Sequence, residues 1–322
     1  KSTLIARILR DPRFAETAVV VNEFGEVGLD GELVAHESDQ IVEMTTGCLC
    51  CTVRGDIRDT LLRLQQDADA GRIPTFARLV VETTGLADPA PVIATLMHDR
   101  QLVQQYALAG VVTVIDVVTG EATLDRHPEA VRQAALADRV VLSKTDLAHD
   151  PASRKDVALL KERLRVLNPG ADHLDLRAAD FELGDLFATE VFDPSERSFD
   201  ARDWLNAEAY ATASEAHHDH HDHEHAHHHH DPNRHDANIR AFCVTLERPI
   251  STAAFTAALE LMSAQAGPKL LRVKGIVCLA EKPENPVAIH GVQHVFHDPM
   301  FLSNWPDDDR RSRLVFITDG FD

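Results

Sequence analysis

Short apolar runs alternate with amphipathic stretches through the first half of the chain. Strands are predicted at residues 18–24 (AVVVNEF), 40–44 (QIVEM), 79–82 (LVVE), 111–117 (VVTVIDV) and 139–143 (RVVLS). Helical periodicity is predicted for the opening KSTLIARIL and for residues 56–66, 91–97 and 153–167, the last with Pro151 near its start. Near-continuous Val/Ile/Leu runs alternating with helices imply an α/β fold, a mostly parallel sheet with helices on both faces. In such sheets ligands bind at the carboxyl ends of the strands. The pattern changes late in the chain. NIRAFCVTL alternates like a strand, Ser251 is placed to cap a helix running to about residue 266, and further strands are predicted at 270–280, 287–295 and 313–318. That pattern predicts a small α+β domain with an antiparallel sheet.

Between these regions lies HHDHHDHEHAHHHH, residues 217–230, with ten histidines in fourteen positions. Such a segment cannot pack a core and is predicted to be a disordered linker, here residues 193–238, separating domains 1–192 and 239–322. An affinity tag is a poor reading, because the tract is internal and interrupted by Asp219, Asp222 and Glu224. Neutral imidazoles bind Zn²⁺, Ni²⁺ and Co²⁺, so His217, His218, His220, His221, His223, His225, His227, His228, His229 and His230 form a candidate weak, multi-ion collector.

The length of 322 residues suits two domains. The balance of 52 acidic against 32 basic side chains, a formal charge of −20, argues against nucleic acid as a partner and favours cations. No apolar run approaches the roughly 20 residues needed to span a bilayer, and no secretory signal is read, so a cytoplasmic protein is expected.

Three of the five cysteines fall within EMTTGCLCCTVRGD, as Cys48, Cys50 and Cys51, while Cys243 and Cys278 sit in apolar runs and read as core. Three readings compete for the cluster. A disulfide between such close neighbours would be strained. A buried apolar cluster sits poorly with Gly47 before it and Thr52, Arg54, Gly55 and Asp56 after it. The third reading is a soft metal site, in which a helix start lowers thiol pKa and three thiolates leave a fourth position for exchange. Spacing alone leaves the choice open.

Three further segments point to nucleotide chemistry. KSTLIARIL resembles the end of a P-loop: Lys1 would reach the β- and γ-phosphates, Ser2 would ligate Mg²⁺, and Thr3 follows in the same turn. The glycines and first strand of that motif are not in this sequence. LVVETTGLADP resembles a second phosphate-side switch, with the Glu82 carboxylate ordering Mg²⁺ and the Gly85 amide sensing the γ-phosphate. VVLSKTDL resembles the guanine-reading [NT]-K-x-D tetrapeptide. Asp146 would accept from guanine N1 and the 2-amino group, the stem of Lys144 would stack on the base, and Ser143 replaces the usual Asn or Thr.

With NEFGEVGLD at 22–30, GCLCC at 47–51, ETTGLADP at 82–89 and HGVQHVFHDP at 290–299, the chain resembles the CobW-type metallochaperone GTPases over essentially its whole length. The resemblance implies GTP, Mg²⁺ and a divalent cargo, most often Zn²⁺ and in some branches Co²⁺, bound by Cys48, Cys50 and Cys51 in a loop between two switches. It implies a client metalloprotein met by the C-terminal domain. Lys1, Glu23 and Glu82 become the candidate catalytic residues, Glu23 as organiser of Mg²⁺ or the attacking water. Leu86 stands where Ras-like enzymes carry a water-positioning Gln, so slow hydrolysis is expected. His290, His294 and His297 fit partner contact or surface packing and are not assigned to metal. Two rivals stay open: a non-catalytic zinc buffer working through the histidine tract, and a cobalt chaperone for cobalamin assembly.

Overall fold

The computed structural model describes residues 1–22, 41–44, 53–83, 85, 87–187, 205–207, 209–210 and 238–320. They divide into two compact units, Lys1–Tyr106 and Ala107–Asp322.

In the first unit, helix α1 (Ser2–Arg10) buries Leu4, Ile5 and Ile8, an i, i+1, i+4 stripe, and places Arg7 and Arg10 in its last turn, where the helix dipole favours cations. Asp11 ends it in extended backbone and accepts the amide of Arg13 at 3.0 Å. Strand β1 (Thr17–Asn22) lies between β2 (Ile41–Met44) and β3 (Arg78–Thr83), parallel to both, with Val20 opposite Val42 and Val81. Helices α2 (Val53–Asp69) and α3 (Ala90–His98) supply Ile57, Leu61, Leu64 and Val92 to a core shared with Ala18, Val20 and Leu102. Alternation along β1 turns Val19 to the other face, where it is only 1% exposed, so both faces of this strand are covered.

The second unit holds two sheets. One is parallel, in the order β4-β5-β6: β4 (Val112–Asp116), β5 (Arg139–Ser143) and β6 (Asp172–Asp175). It is accompanied by α4 (Gly120–Arg126), α5 (Pro128–Leu136) and α6 (Pro151–Leu167). Helix α6 starts two residues earlier than predicted, because Asp150 caps it by accepting the amides of Ala152 and Ser153 at 3.0 and 3.1 Å and Pro151 takes the first helical position. Asn168, buried just past α6, directs its amide group at the carbonyls of Ala134, Ala135 and Ala137 at 3.0, 3.0 and 2.8 Å and accepts the Tyr210 hydroxyl at 3.2 Å. Leu205 and Tyr210 fall inside the span predicted as linker, yet both are buried. Asn168→Ala is expected to cost about 2 kcal/mol, since it orphans the carbonyl end of α5. Asn168→Asp, which sets an acceptor against acceptors, should cost more. Urea unfolding of the three proteins checks the order.

The other sheet is antiparallel, in the order β10-β9-β8-β12-β7, with β11 on β9. Its strands are β7 (Ile239–Leu246), β8 (Leu270–Val277), β9 (Val287–Val292), β10 (Val295–Phe296), β11 (Met300–Phe301) and β12 (Ser312–Asp319). Helix α7 (Thr252–Leu261), capped by the Ser251 hydroxyl, lays Phe255 on a core of Leu270, Val273, Val277, Val287, Ile289 and Leu314. The single strand predicted over residues 287–295 is instead folded at Gln293, whose φ is 54°, into the β9–β10 hairpin. Gly291 admits that fold, since a Cβ there would come within 2.9 Å of the Phe296 ring.

Alternation in β8 turns Arg272 and Lys274 to the face opposite Val273. Arg272 donates to Leu136 O at 2.8 Å, and both cations reach Asp138 Oδ1, at 2.5 and 3.1 Å. Asp138 Oδ2 accepts the amide of Val111 at 2.9 Å. His290, paired with Lys274 across the strands, is buried, and burial followed by the charges of Arg272 and Lys274 pushes its imidazole well below the usual histidine pKa. The antiparallel sheet is thereby docked at the amino end of β5, the strand whose other end carries the SKTD segment. No helix among the described residues is long and apolar enough to cross a membrane.

Candidate functional site

The candidate residues gather at strand ends and at a helix start, in two groups, one in each unit. In the first unit, Lys1 immediately precedes α1. The amides of Leu4 and Ile5 bond back to Lys1 O, at 2.9 and 3.1 Å, so those of Ser2 and Thr3 lie ahead of the first intrahelical bond. Those amides, outside the helix's own bonding, and the helix dipole make this end attractive to anions. The Lys1 ammonium donates to Thr83 O at 3.0 Å. Although the residue as a whole is exposed, packing around the ammonium lowers its pKa, and the charge of the neighbouring Glu82 offsets part of that.

Glu82 is set by register. It is the second-last residue of β3, opposite Val21 of β1, at the carboxyl end of the sheet. Gly85 follows in a turn where a Cβ would meet nothing within 4 Å, so no described neighbour requires a glycine there.

In the second unit, β5 ends at Ser143, whose hydroxyl donates to Ile115 O on β4 at 3.2 Å. The serine thus ties the segment sideways to the adjacent strand. Lys144 then takes a left-handed conformation, φ 61°, and its ammonium pairs with Asp116 at the end of β4. Burial would raise the Asp116 pKa, but the bonds from Lys144 and the Val118 amide outweigh it and hold the carboxyl below its usual range. Thr145, Asp146 and Leu147 form a single 3₁₀ turn. Thr145 donates to Asp175 Oδ1 at 2.6 Å, and Asp146 Oδ1 lies 3.2 Å from Arg177 Nε.

Lys1 is therefore brought beside Glu82 and Thr83, and Lys144 and Asp146 onto one loop. Glu23, the cysteines Cys48, Cys50 and Cys51, and the ten histidines from His217 to His230 lie outside the described residues. Among the described residues, no group of three or more His, Cys, Asp or Glu side chains could hold a metal ion. Sequence reading missed Asp116, Asp175 and Arg177. Asp116 was in view as the acid closing VVTVID. Asp175 closes β6, whose DHLD reads as a polar loop rather than a strand, and Arg177 lies two residues beyond it.

Residues 1–175 match the family described as CobW/HypB/UreG, nucleotide-binding domain, and residues 239–322 match the Cobalamin synthesis protein cobW C-terminal domain. The chain is 31% identical over 317 residues to a protein of Escherichia coli (strain K12) named Zinc chaperone YjiA, an alignment covering 98% of this chain and 89% of that one. It is 26% identical over 373 residues to the Zinc-regulated GTPase metalloprotein activator 1 of Dictyostelium discoideum, covering 98% of this chain and 73% of the other. Among solved structures, the Zn(II)-bound YjiA GTPase from E. coli superposes with a TM-score of 0.68 at 27% identity, covering 99% of this chain and 90% of that one.

Proposed function

Since the chain belongs to the CobW/HypB/UreG family of nucleotide-binding proteins, we propose that it is a cytoplasmic GTP-hydrolysing metal chaperone, which carries Zn²⁺ on Cys48, Cys50 and Cys51 and releases it to a client metalloprotein under nucleotide control. In this reading residues 1–192 handle the nucleotide, the histidine tract within 193–238 gathers metal, and residues 239–322 meet the client. The names of the E. coli and Dictyostelium relatives, a zinc chaperone and a zinc-regulated GTPase, support the class and the cargo.

The observation that carries the reading is the loop closing β5. Lys144 and Asp146, the two residues guanine recognition needs, stand at the carboxyl end of a parallel strand, with Lys144 anchored by Asp116 and Thr145 by Asp175. On the phosphate side, the α1 amides and the Lys1 ammonium receive the phosphates. Lys1 exchanges the Thr83 carbonyl for phosphate oxygens, and an anion there restores the charge balance that packing takes from the ammonium. Ser2 and Glu82 offer the hard oxygen donors that Mg²⁺ takes, and Mg²⁺, when bound, neutralises phosphate charge. Gly85, with no described residue within 4 Å of where a Cβ would stand, leaves its backbone to the γ-phosphate. Glu23 organises Mg²⁺ or the attacking water. With Leu86 in place of a Gln, turnover is slow, as suits a switch.

Asp146→Asn is the direct test. It exchanges an acceptor for a donor opposite the 2-amino group, so GTP affinity should fall by about one to two decades, the scale of a lost charge-assisted hydrogen bond. Preference should move toward xanthosine triphosphate, which presents a carbonyl at that position. Titration with fluorescent nucleotides reads both, and unchanged GTP affinity would remove SKTD as the guanine reader.

A further inference from the structure

We infer that Arg177, in the loop after β6, is a positioning residue for the carboxylate of Asp146 and so sets how sharply the site tells guanine from related bases. The inference rests on the assignment of Asp146 as base reader.

Two links join the β6 loop to the β5 loop. The deeper one is Asp175: its Oδ1 accepts both the Thr145 hydroxyl, at 2.6 Å, and the amide of Arg177, at 3.0 Å. One carboxylate oxygen therefore sews the base-reading tetrapeptide to the backbone of Arg177. The outer link is the Arg177 side chain itself, whose Nε reaches Asp146 Oδ1 at 3.2 Å. Asp146 sits on a 3₁₀ turn of only three residues, and its side chain is 47% exposed. Among the described residues, the ion-pair partner of Asp146 is Arg177, and the pair selects a rotamer for an otherwise solvated carboxylate.

The pair is compatible with base reading. An ionised carboxylate accepts about four hydrogen bonds, and Arg177 uses one, leaving more than the two that the N1 and 2-amino donors of guanine require. Because the Arg177 side chain is itself 64% exposed, the pair contributes little to stability. Its value is orientational, since a preset rotamer spares the ligand the entropy of fixing Asp146.

Inosine triphosphate supplies the test, because hypoxanthine keeps the N1 donor and lacks only the 2-amino group. In the full-length protein, Arg177→Ala should lower the ratio of GTP to ITP affinity about threefold to fivefold, the scale of one exposed ion pair. Most of the change should fall on GTP. Arg177→Lys, which keeps the cation without the rigid fork, should recover part of the ratio. If GTP and ITP weaken equally, Arg177 serves only the loop and the proposal fails. If Arg177→Ala binds GTP more tightly, the arginine competes with the base, and the proposal again fails. A wild-type protein that binds GTP and ITP alike, with Asp146→Asn also silent, would overturn the base-reader assignment and the proposal with it. A wild type that discriminates while Arg177→Ala keeps the same ratio would overturn the role of Arg177 alone.

Discussion

Asp138→Ala is expected to destabilise the Ala107–Asp322 unit by about 3–5 kcal/mol, the usual consequence of removing one partner from a buried charge cluster. The side chains of Asp138 and Arg272 are 8% and 6% exposed, and that of Lys274 is 13% exposed, so neither cation can turn to bulk water when the carboxylate is lost. The amide of Val111 loses its acceptor in the same step. Both pKa values fall, for different reasons. Burial would raise the Asp138 pKa, yet Arg272, Lys274 and the Val111 amide together hold it well below the usual carboxylate range. Burial and the like charge of Arg272 bring Lys274 down to about 8 despite its contact with the same aspartate. One carboxylate shared by two cations gains from both, while each cation gains from one and is repelled by the other.

The signs then fix the pH dependence. The folded pKa of Asp138 is depressed, so its stabilisation is fully present above the unfolded value near 3.8 and is lost as pH falls toward the folded value. Lys274 is also depressed. Its charge is penalised below about pH 8, and that penalty fades as pH rises toward the unfolded value of 10.5. The stability gap between wild type and Asp138→Ala should therefore be flat from about pH 5 to 7 and shrink below about pH 4. Urea unfolding across this range measures it. The triple change Asp138→Leu, Arg272→Met and Lys274→Met, which removes all three charges together, should recover part of the loss, the Val111 amide and Leu136 carbonyl still lacking these partners. A triple variant as unstable as Asp138→Ala would show that packing at this junction, and not the charge cluster, carries the effect.

What could be read from the chain differed by element for physical reasons. The strand RVVLS announces itself because a strand buried on both faces carries a continuous apolar run, and β5 falls at the predicted residues. DHLD gave no such signal. In β6 only the pairing with β5 makes it a strand, so nothing in the sequence places its last residue, Asp175, or Arg177 beyond it, beside SKTD. Lys144 and Asp146 were legible because their spacing is chemistry within one loop. The Asp138 cluster was not, since Arg272 and Lys274 are 134 and 136 residues away and look like ordinary surface cations on a strand. Ser143 shows a middle case: its departure from the usual residue is visible in sequence, while its bond to Ile115 O requires the neighbouring strand.

Replacing Cys48, Cys50 and Cys51 together by serine is expected to abolish a single tight zinc site, lowering affinity by about three decades or more. Thiolate–zinc sites draw roughly 10–16 kcal/mol from their full ligand set, and serine oxygens recover little of it. Deleting His217 to His230 should do the reverse, removing several weak sites and sparing the tight one. Imidazoles compete with protons below about pH 6.5, and a sequence made almost wholly of histidines and carboxylates lacks the apolar residues with which to preform a site. A chaperone under nucleotide control makes a further demand, because coupling between two sites is reciprocal. If GTP changes the zinc affinity of the cysteine loop by some factor, Zn²⁺ must change GTP affinity by the same factor. Competition titrations of Zn²⁺ with and without a non-hydrolysable GTP analogue, and of that analogue with and without Zn²⁺, give the two factors independently. Equal factors well away from one, lost together in the triple serine variant and kept after deletion of the histidine tract, are the expected result. A tight site that survives the serine changes, or a zinc affinity indifferent to nucleotide, would instead leave a protein that stores zinc without gating its release, with the histidine tract as its working part.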